Sequence, residues 1–374
     1  MRDNKTVKEV VMVSAGLGLD GGGSAALGRL IARATAEFCQ ERGLRFHVLH
    51  LGRPVDCLPG LDVTHFSGDQ KALAVALWRR QARANDLALV FDHPGPARTQ
   101  AYLPAFACAP YLVFLLGIEV WRPLGWERRR ALQKAAVRLA ISEHTWRKAR
   151  RFSPWLPPAE VLYLALEERP PRGKVDEVLL EKAGRDTILI VSRMPAAQPY
   201  KGHDELLAAW PTVLTAHPQA RLVVAGDGDD RPRLEAIVAA DGLQDHVLFT
   251  GFVSEATLEK LYERCAIFAM PSRNEGFGLV YLAAMKAGKP CIATRDCAAG
   301  EVVLDGQTGL LVEFGRADQV AQALLRLMDN PELAGRLGAA GRQRWQNCFR
   351  YAAFRDGLHS HLWRLVGGQR MGGI

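Results

Sequence analysis

In the stretch PSRNEGFGLVYLAAMKAGKP, residues 271 to 290, a single carboxylate, Glu275, stands beside Gly276 and Gly278 just ahead of a helical run. The glycines permit close backbone approach. The amides of Leu279 and Val280 open the helix, whose end attracts an anion through its dipole and its unbonded donors. Glu275 has the same charge as such an anion, so a carboxylate there suits the hydroxyls of a neutral polyol. Arg193 ends the run TILIVSR and Lys201 precedes the next helical segment. Two cations at one sheet edge can clamp a diphosphate. In the N-terminal half, Gly21 to Gly23 read as a flexible loop, in which Gly22 and Gly23 let backbone N–H groups reach a phosphate at a helix start near Ser24. LVFDHPGPARTQ puts Asp92 and His93 at a strand end, where a polar pair could reach a ligand. For His93, a histidine that merely caps the strand end competes with a site role.

These groups need elements to position them. Short β-branched runs (VVMVSA, FHVLHL, LALVFD, YLVFLL) alternate with amphipathic stretches, which is βαβ rhythm. A second series runs through TILIVSR, LVVAG, VLFTG, AIFAMPS and PCIAT. The fold class is therefore α/β, two doubly wound parallel sheets, with ligands expected beyond the carboxyl ends of the strands. The boundaries expected are 1–170, 171–345 and a C-terminal helix over 346–374 that crosses back to the first domain. The Pro-Pro-Arg-Gly break within 165–181 is the linker candidate.

A length of 374 residues also predicts two domains. The first residues, MRDNKTVKEVVMVSAG, lack the length and cleavage site of a signal peptide. No run approaches the roughly 18 apolar residues of a spanning helix. The seven cysteines are scattered without a CxxC pair, which favours reduced thiols and a cytoplasmic location. The net charge of +8 is local: residues 122 to 151 hold ten Lys or Arg against Glu127 and Glu143, interleaved with Trp126 and Trp146 and preceded by Trp121. That composition suits peripheral contact with an anionic leaflet, or a solvated helix face. No recognition motif accompanies it, so nucleic acid is not an expected partner.

Two cofactor readings compete with the phosphate site. Gly16, Gly18 and Gly21 match GxGxxG, but a dinucleotide needs an acid at the end of the next strand, which here ends His50, Leu51, Gly52, Arg53. The run GDGDD offers Asp227 and Asp229 as metal ligands, or as capping residues of the following helix. His359 and His361 have no partner ligands in the sequence and read as surface residues.

The order VSR…YKG, VVAGDGDDRPRLE, VLFTGFV, AMPSRNEGFGLVYLAAMKAGKPCIA and GEVVLDGQTGLLV resembles the retaining family-4 glycosyltransferases of the GT-B fold, over most of residues 187 to 330. That resemblance implies a nucleotide-sugar donor, UDP- or GDP-linked, whose diphosphate is held by Arg193, Lys201 and the Leu279 and Val280 amides. It places the base near Phe252 and Val253. It makes Glu275 the sugar-side acid, within the donor loop Gly276–Phe277–Gly278. A saccharide or lipid-linked saccharide acceptor on the first domain, a cell-surface polysaccharide or glycoconjugate product, no resident cofactor and no metal follow from it. Glu275, His93 and Asp92 are the candidate catalytic residues, and closure of the two domains is expected to complete the site.

Two positions depart from that pattern. The second acid of the family's E-x7-E motif, which binds the ribose hydroxyls, falls on Ala283. The family's histidine at the end of the YLVFLL strand falls on Leu116, with Glu119 nearby as either a site acid or a surface acid. Together they raise the alternative of a nucleotide-sugar-binding relative impaired in turnover.

Overall fold

The structure, a computed structural model, describes residues 7–18, 22–55, 59–197 and 199–367. The chain divides into two compact units, Met1–Glu167 with Tyr351–Ile374, and Glu168–Arg350.

The first unit is built on seven strands: β1 (Glu9–Ser14), β2 (Arg45–His50), β3 (Val63–His65), β4 (Leu87–Phe91), β5 (Tyr111–Leu115), β6 (Val137–Ala140) and β7 (Glu160–Val161). They pair in parallel in the order β3-β2-β1-β4-β5-β6-β7. All residues of β1, β4 and β5 are buried, as expected of strands covered on both faces. The helix Gly22–Glu41 buries Leu27, Leu30, Ile31, Ala34 and Phe38, one stripe at helical spacing. It starts two residues before the expected position near Ser24, because Gly22 takes the left-handed φ of +67° that begins the turn. Gly21 lies outside the described residues.

The C-terminal segment is two helices, not one. Pro331–Cys348 belongs to the second unit and Tyr351–Leu365 to the first, with the break at Phe349. The latter packs on Gly22–Glu41, and the two histidines expected at the surface turn inward. His361 is buried, and His359 Nε2 lies 2.8 Å from the carbonyl of Ala34 with its ring edge-on to Phe38.

The basic, Trp-bearing segment is also only partly a surface. Trp121 is buried, edge-on to His144 and covered by the Lys148 ammonium 4.2 Å from its ring centre. Arg138 in β6 donates to the carbonyls of Leu132, Ala135 and Pro158, and Lys134 to those of Gln100 and Leu103. Several of the ten cations therefore satisfy their own fold.

In the second unit β8 (Ile188–Val191), β9 (Leu222–Ala225), β10 (Val247–Gly251), β11 (Ile267–Ala269), β12 (Cys291–Thr294) and β13 (Gly309–Val312) pair in parallel as β10-β9-β8-β11-β12-β13. The stretch after Glu167 is stitched to this unit. Arg169 grips Glu255 with two 2.6 Å hydrogen bonds, and Ala256 N–H donates to Arg172 O. Strand order reverses between β1 and β4 and again between β8 and β11. Those two crevices, at the strands' carboxyl ends, are where such sheets receive ligands.

Candidate functional site

At the β8/β11 crevice the loop after β8 carries Arg193 and Lys201, and the loop after β11 carries Glu275. Two glycines set the geometry. Gly202 caps the helix His203–Ala216 at φ +95°, where a Cβ would lie 2.8 Å from Pro271. Gly278 caps the helix Leu279–Lys286 at φ +99°, where a Cβ would lie 2.5 Å from the Tyr281 ring. Only glycine fits both the dihedral and the space. Arg273 N–H donates to Tyr200 O at 2.8 Å, Ala298 N–H to Glu275 O at 3.2 Å and Tyr281 Oη to Met270 O at 2.5 Å. Asn274 completes the loop in the left-handed region at φ +64°.

So held, Glu275 Oε1 accepts a 2.6 Å hydrogen bond from Lys201 Nζ, both side chains being largely buried. Burial raises the Tyr200 phenol pKa, and the charges of Lys201, Glu275 and Arg193 all act on it, so these groups share one locale. Arg193 is exposed at the end of β8, with no ion-pair partner among the described residues. The helix Leu279–Lys286 has no side-chain cap. The amides of Leu279 and Val280 find no acceptor among the described residues, while that of Tyr281 bonds Gly278 O. A guanidinium, an ammonium and two free amides around a carboxylate can neutralise a diphosphate and hold a hydroxyl.

Gly276 lies in the same loop, half-buried, whereas Phe277 is turned into the core, edge-on to Phe349. Ala283 is half-buried one turn beyond Leu279 and offers only a methyl there. Phe252, after the bulge at Gly251 that ends β10, is 75% exposed, with Val253 half-buried next to it.

The GDGDD run serves the site from behind. A Cβ on Gly226 would meet Ser192 O at 2.1 Å and one on Gly228 would meet Met194 O at 2.0 Å, so the loops after β8 and β9 lie backbone to backbone. Asp229 accepts from Ala196 N–H at 2.7 Å and Asp227 from Gly228 N–H at 2.9 Å. Asp230 stands at the N-cap of Arg231–Ala240, but its carboxylate is taken by Arg233 instead of capping. No cluster of three potential metal ligands occurs among the described residues.

In the first unit Asp92 points inward. It is buried, its Oδ2 accepts from Ser14 Oγ at 2.5 Å and its Oδ1 from Ala15 N–H at 3.0 Å. Desolvation pushes its pKa up to about 7. The expected reach of Asp92 toward a ligand is thus replaced by a bond across the β1/β4 crevice. His93 Nδ1 accepts from Gly95 N–H at 2.8 Å, capping the short helix Pro94–Ala97. Glu119 accepts from the amides of Leu116 and Gly117, so it ties down the turn after β5. Gly22 and Gly23 are exposed in the first turn of their helix. At the end of β2, His50 Nδ1 meets His65 Nδ1 at 3.1 Å, leaving no acid where a dinucleotide ribose needs one.

Sequence reasoning missed the Lys201–Glu275 pair, the place of Tyr200 beside it, and Arg29, which holds Leu17 O and Gly18 O under the glycine loop. Nothing in the local pattern around Arg29 signals that role, since a mid-helix arginine ordinarily faces water.

Residues 172–344 match the Glycosyl transferases group 1 family. That segment of the chain is similar to the group 1 glycosyltransferases. The chain is 31% identical over 219 residues to the alpha-D-kanosaminyltransferase of Streptomyces kanamyceticus, covering 57% of this chain and 56% of that one. It is 36% identical over 166 residues to a GDP-mannose-dependent alpha-(1-6)-phosphatidylinositol monomannoside mannosyltransferase of Mycobacterium tuberculosis, covering 42% of each. The chain thus spans about half the length of the curated relatives it matches. Among solved structures, HepE of Anabaena in complex with UDP superposes with TM-score 0.75 at 18% identity, covering 95% of this chain and 100% of that one. Sucrose-phosphate synthase of Thermosynechococcus elongatus gives 0.76 at 20% identity, covering 96% and 98%. The chain has the GT-B fold.

Proposed function

We propose that the chain is a retaining, family-4 hexosyltransferase that moves a sugar from a UDP- or GDP-sugar to a saccharide or lipid-linked saccharide acceptor in cell-surface polysaccharide or glycoconjugate synthesis. The observation that carries this reading is Lys201 Nζ 2.6 Å from Glu275 beside the uncapped helix Leu279–Lys286. In this reading the diphosphate takes Arg193, Lys201 and the free amides, and Glu275 turns to the sugar hydroxyls. The bond from the anomeric carbon to the diphosphate oxygen breaks as the bond to the acceptor oxygen forms on the same face, and the acceptor's proton passes to the leaving diphosphate. Electrostatic stabilisation of that leaving group is the main contribution asked of the protein. The two relatives named above, one acting from GDP-mannose, and the UDP complex of HepE support a nucleotide-linked donor.

The test is release of nucleoside diphosphate from a panel of UDP- and GDP-hexoses, with EDTA present throughout. One donor is expected to be consumed at an undiminished rate in EDTA. Consumption of none, with UDP and GDP also failing to bind, overturns the reading. Binding without consumption favours the impaired relative, for which Ala283 and Leu116 speak.

A peripheral contact with an anionic leaflet belongs to the same proposal. No helix among the described residues is long and apolar enough to cross a membrane. The surface open to such contact includes the exposed Arg122, Arg130, Arg150, Arg151 and Phe152. Each cation near an anionic surface is worth about 1 kcal/mol. Flotation with phosphatidylglycerol vesicles at low salt, lost on Arg150→Glu with Arg151→Glu, checks it, and unchanged flotation counts against it.

A further inference from the structure

Phe277, between the two glycines of the Glu275 loop, is buried and meets the Phe349 ring edge-on, with centres 5.9 Å apart and planes at 77°. An aromatic pair prefers that arrangement. Phe349 is buried as well and ends the helix Pro331–Cys348, its N–H donating to Trp345 O at 2.9 Å. The chain leaves the second unit one residue later, at Arg350. The Arg344 guanidinium, 5.2 Å from the centre of the Phe349 ring, donates through Nε to Val302 O at 3.1 Å and through Nη2 to Glu301 O at 2.9 Å. Those carbonyls belong to the helix Ala299–Val302, which follows directly on Ala298, whose N–H holds Glu275 O at 3.2 Å. The Phe349 end of the helix thus reaches the loop twice, at Phe277 by ring contact and toward Glu275 through Arg344 and Ala298.

The rest of the same helix lies along the helix that the loop opens. A Cβ on Gly338 would stand 2.1 Å from Gly288 O, and one on Gly341 would stand 3.5 Å from Met285 Cγ. Contacts of 338 with 288, 341 with 285 and 349 with 277 form one antiparallel seam, from beyond the C-terminal end of Leu279–Lys286 to the loop before its first turn. At the Gly338 end backbone meets backbone, whereas at the loop end two close-packed rings set the spacing. Neither ring carries a polar atom and both are buried, so they act on a hydrophilic ligand only through what they hold. That is the Glu275 carboxylate, two residues before Phe277, and the Leu279 and Val280 amides just after it.

We propose that Phe349 is a positioning residue for this crevice: through Phe277 it sets where Glu275 and the free helix-end amides stand, so the last turn before the chain leaves the unit governs ligand affinity. The ligand, a nucleoside diphosphate, rests on the transferase reading above; the hold on the loop does not. Hydrogen exchange on the full chain without ligand tests that hold. Phe349→Leu keeps an apolar side chain but removes the ring. Exchange in the peptide spanning 272–282, where the amides of Arg273 and Tyr281 are bonded, should rise about three- to tenfold, the scale of one edge-on aromatic pair. Unchanged exchange in β4 of the first unit shows a folded chain; if β4 opens too, Phe277→Leu and Phe349→Met carry the same readings. Calorimetry with UDP and GDP reads the consequence. Whichever the parent binds should bind Phe349→Leu and Phe277→Leu each about three- to tenfold more weakly, and the double variant no more weakly than the worse single, because the rings act as one. Phe349→Met, whose sulfur still meets a ring, should regain most of the affinity. Leu324→Ala, at a buried place in the helix Ala317–Met328, should lower the urea midpoint and leave affinity as in the parent, which separates positioning from a general loss of stability. Unchanged loop exchange in Phe349→Leu, losses that multiply in the double variant, or an equal loss of affinity in Leu324→Ala overturns the proposal. If neither nucleotide binds the parent while loop exchange responds as expected, the hold of Phe349 on the loop stands and the donor reading falls.

Discussion

The two sheets reverse their strand order at equivalent places, yet their crevices are put to opposite uses. Between β1 and β4 a carboxylate is folded in. Both Asp92 oxygens are engaged by Ser14 and Ala15, the side chain is buried, and Gly28 lets its helix approach so closely that an added Cβ would sit 2.4 Å from Gly16 O. Between β8 and β11 the acid is held ready. Glu275 has one 2.6 Å partner, its other oxygen bonds nothing among the described residues, and two free amides stand nearby. Topology alone therefore does not make a site. What distinguishes the second crevice is polar groups that can exchange their internal partner for a ligand, while those of the first are used up in holding loops together.

The sharpest way to break that comparison is Glu275→Gln. The amide cannot neutralise Lys201 as the carboxylate does, so the lysine is freed for a diphosphate while the sugar hydroxyls lose their charged acceptor. Turnover is expected to fall by about 10²–10³, the scale on which removal of one charge-stabilising group acts. UDP or GDP alone should bind up to about tenfold more tightly, a partly buried pair being worth on the order of 1 kcal/mol. Calorimetry beside steady-state rates separates the two effects. A variant that loses nucleoside diphosphate affinity along with turnover would mean that Glu275 and the ligand do not compete for Lys201.

Next in size is Ala283→Glu, which adds an acid to an already open crevice. A charge-assisted bond to a ribose hydroxyl is worth roughly 1.5–3 kcal/mol, or about ten- to a hundredfold in donor affinity. Tighter donor binding by the variant, read by calorimetry, marks position 283 as a ligand-facing place left empty. Unchanged binding would place the ribose elsewhere. Turnover appearing only in the variant would point to the impaired relative.

The same contrast explains what was legible in the sequence. Gly276, Gly278 and the helix start at Leu279 are a local pattern, so the uncapped helix end could be read off twenty consecutive residues. The partner of Glu275 lies 74 positions away in the chain, and no local pattern carries a pairing of that kind. Asp92 was visible as an acid at a strand end, but its direction is decided by Ser14, 78 positions earlier. β3 and β7, of three and two residues, are too short to show a period, and β6 carries Arg138 within it. His359 and His361 looked solvent-facing because their own helix is polar there. His359 is covered by Ala34 and Phe38 of a helix from the other end of the chain, while His361 is buried with its Nδ1 3.9 Å from Glu160 of β7.

The smallest effect comes from the closed crevice and takes the form of a pH dependence. The Asp92 pKa, 3.8 in a free side chain, is pushed up to about 7 chiefly by burial, against the opposing bonds from Ser14 and Ala15. Below the unfolded value both states carry the proton, and its contribution to stability is fully present. From about pH 4 to pH 7 the native state keeps a proton that the unfolded chain has released, so stability falls as pH rises through that window. Above it the ionised, desolvated carboxylate remains as a cost on the order of 1–3 kcal/mol. Asp92→Asn removes the titration while keeping the shape. Its urea midpoint relative to the parent should therefore rise steadily across that window, and the slopes of all other groups cancel in the difference. Parallel curves would instead mean that Asp92 is ionised throughout and well solvated by Ser14 and Ala15, which would make the first crevice as available to a ligand as the second.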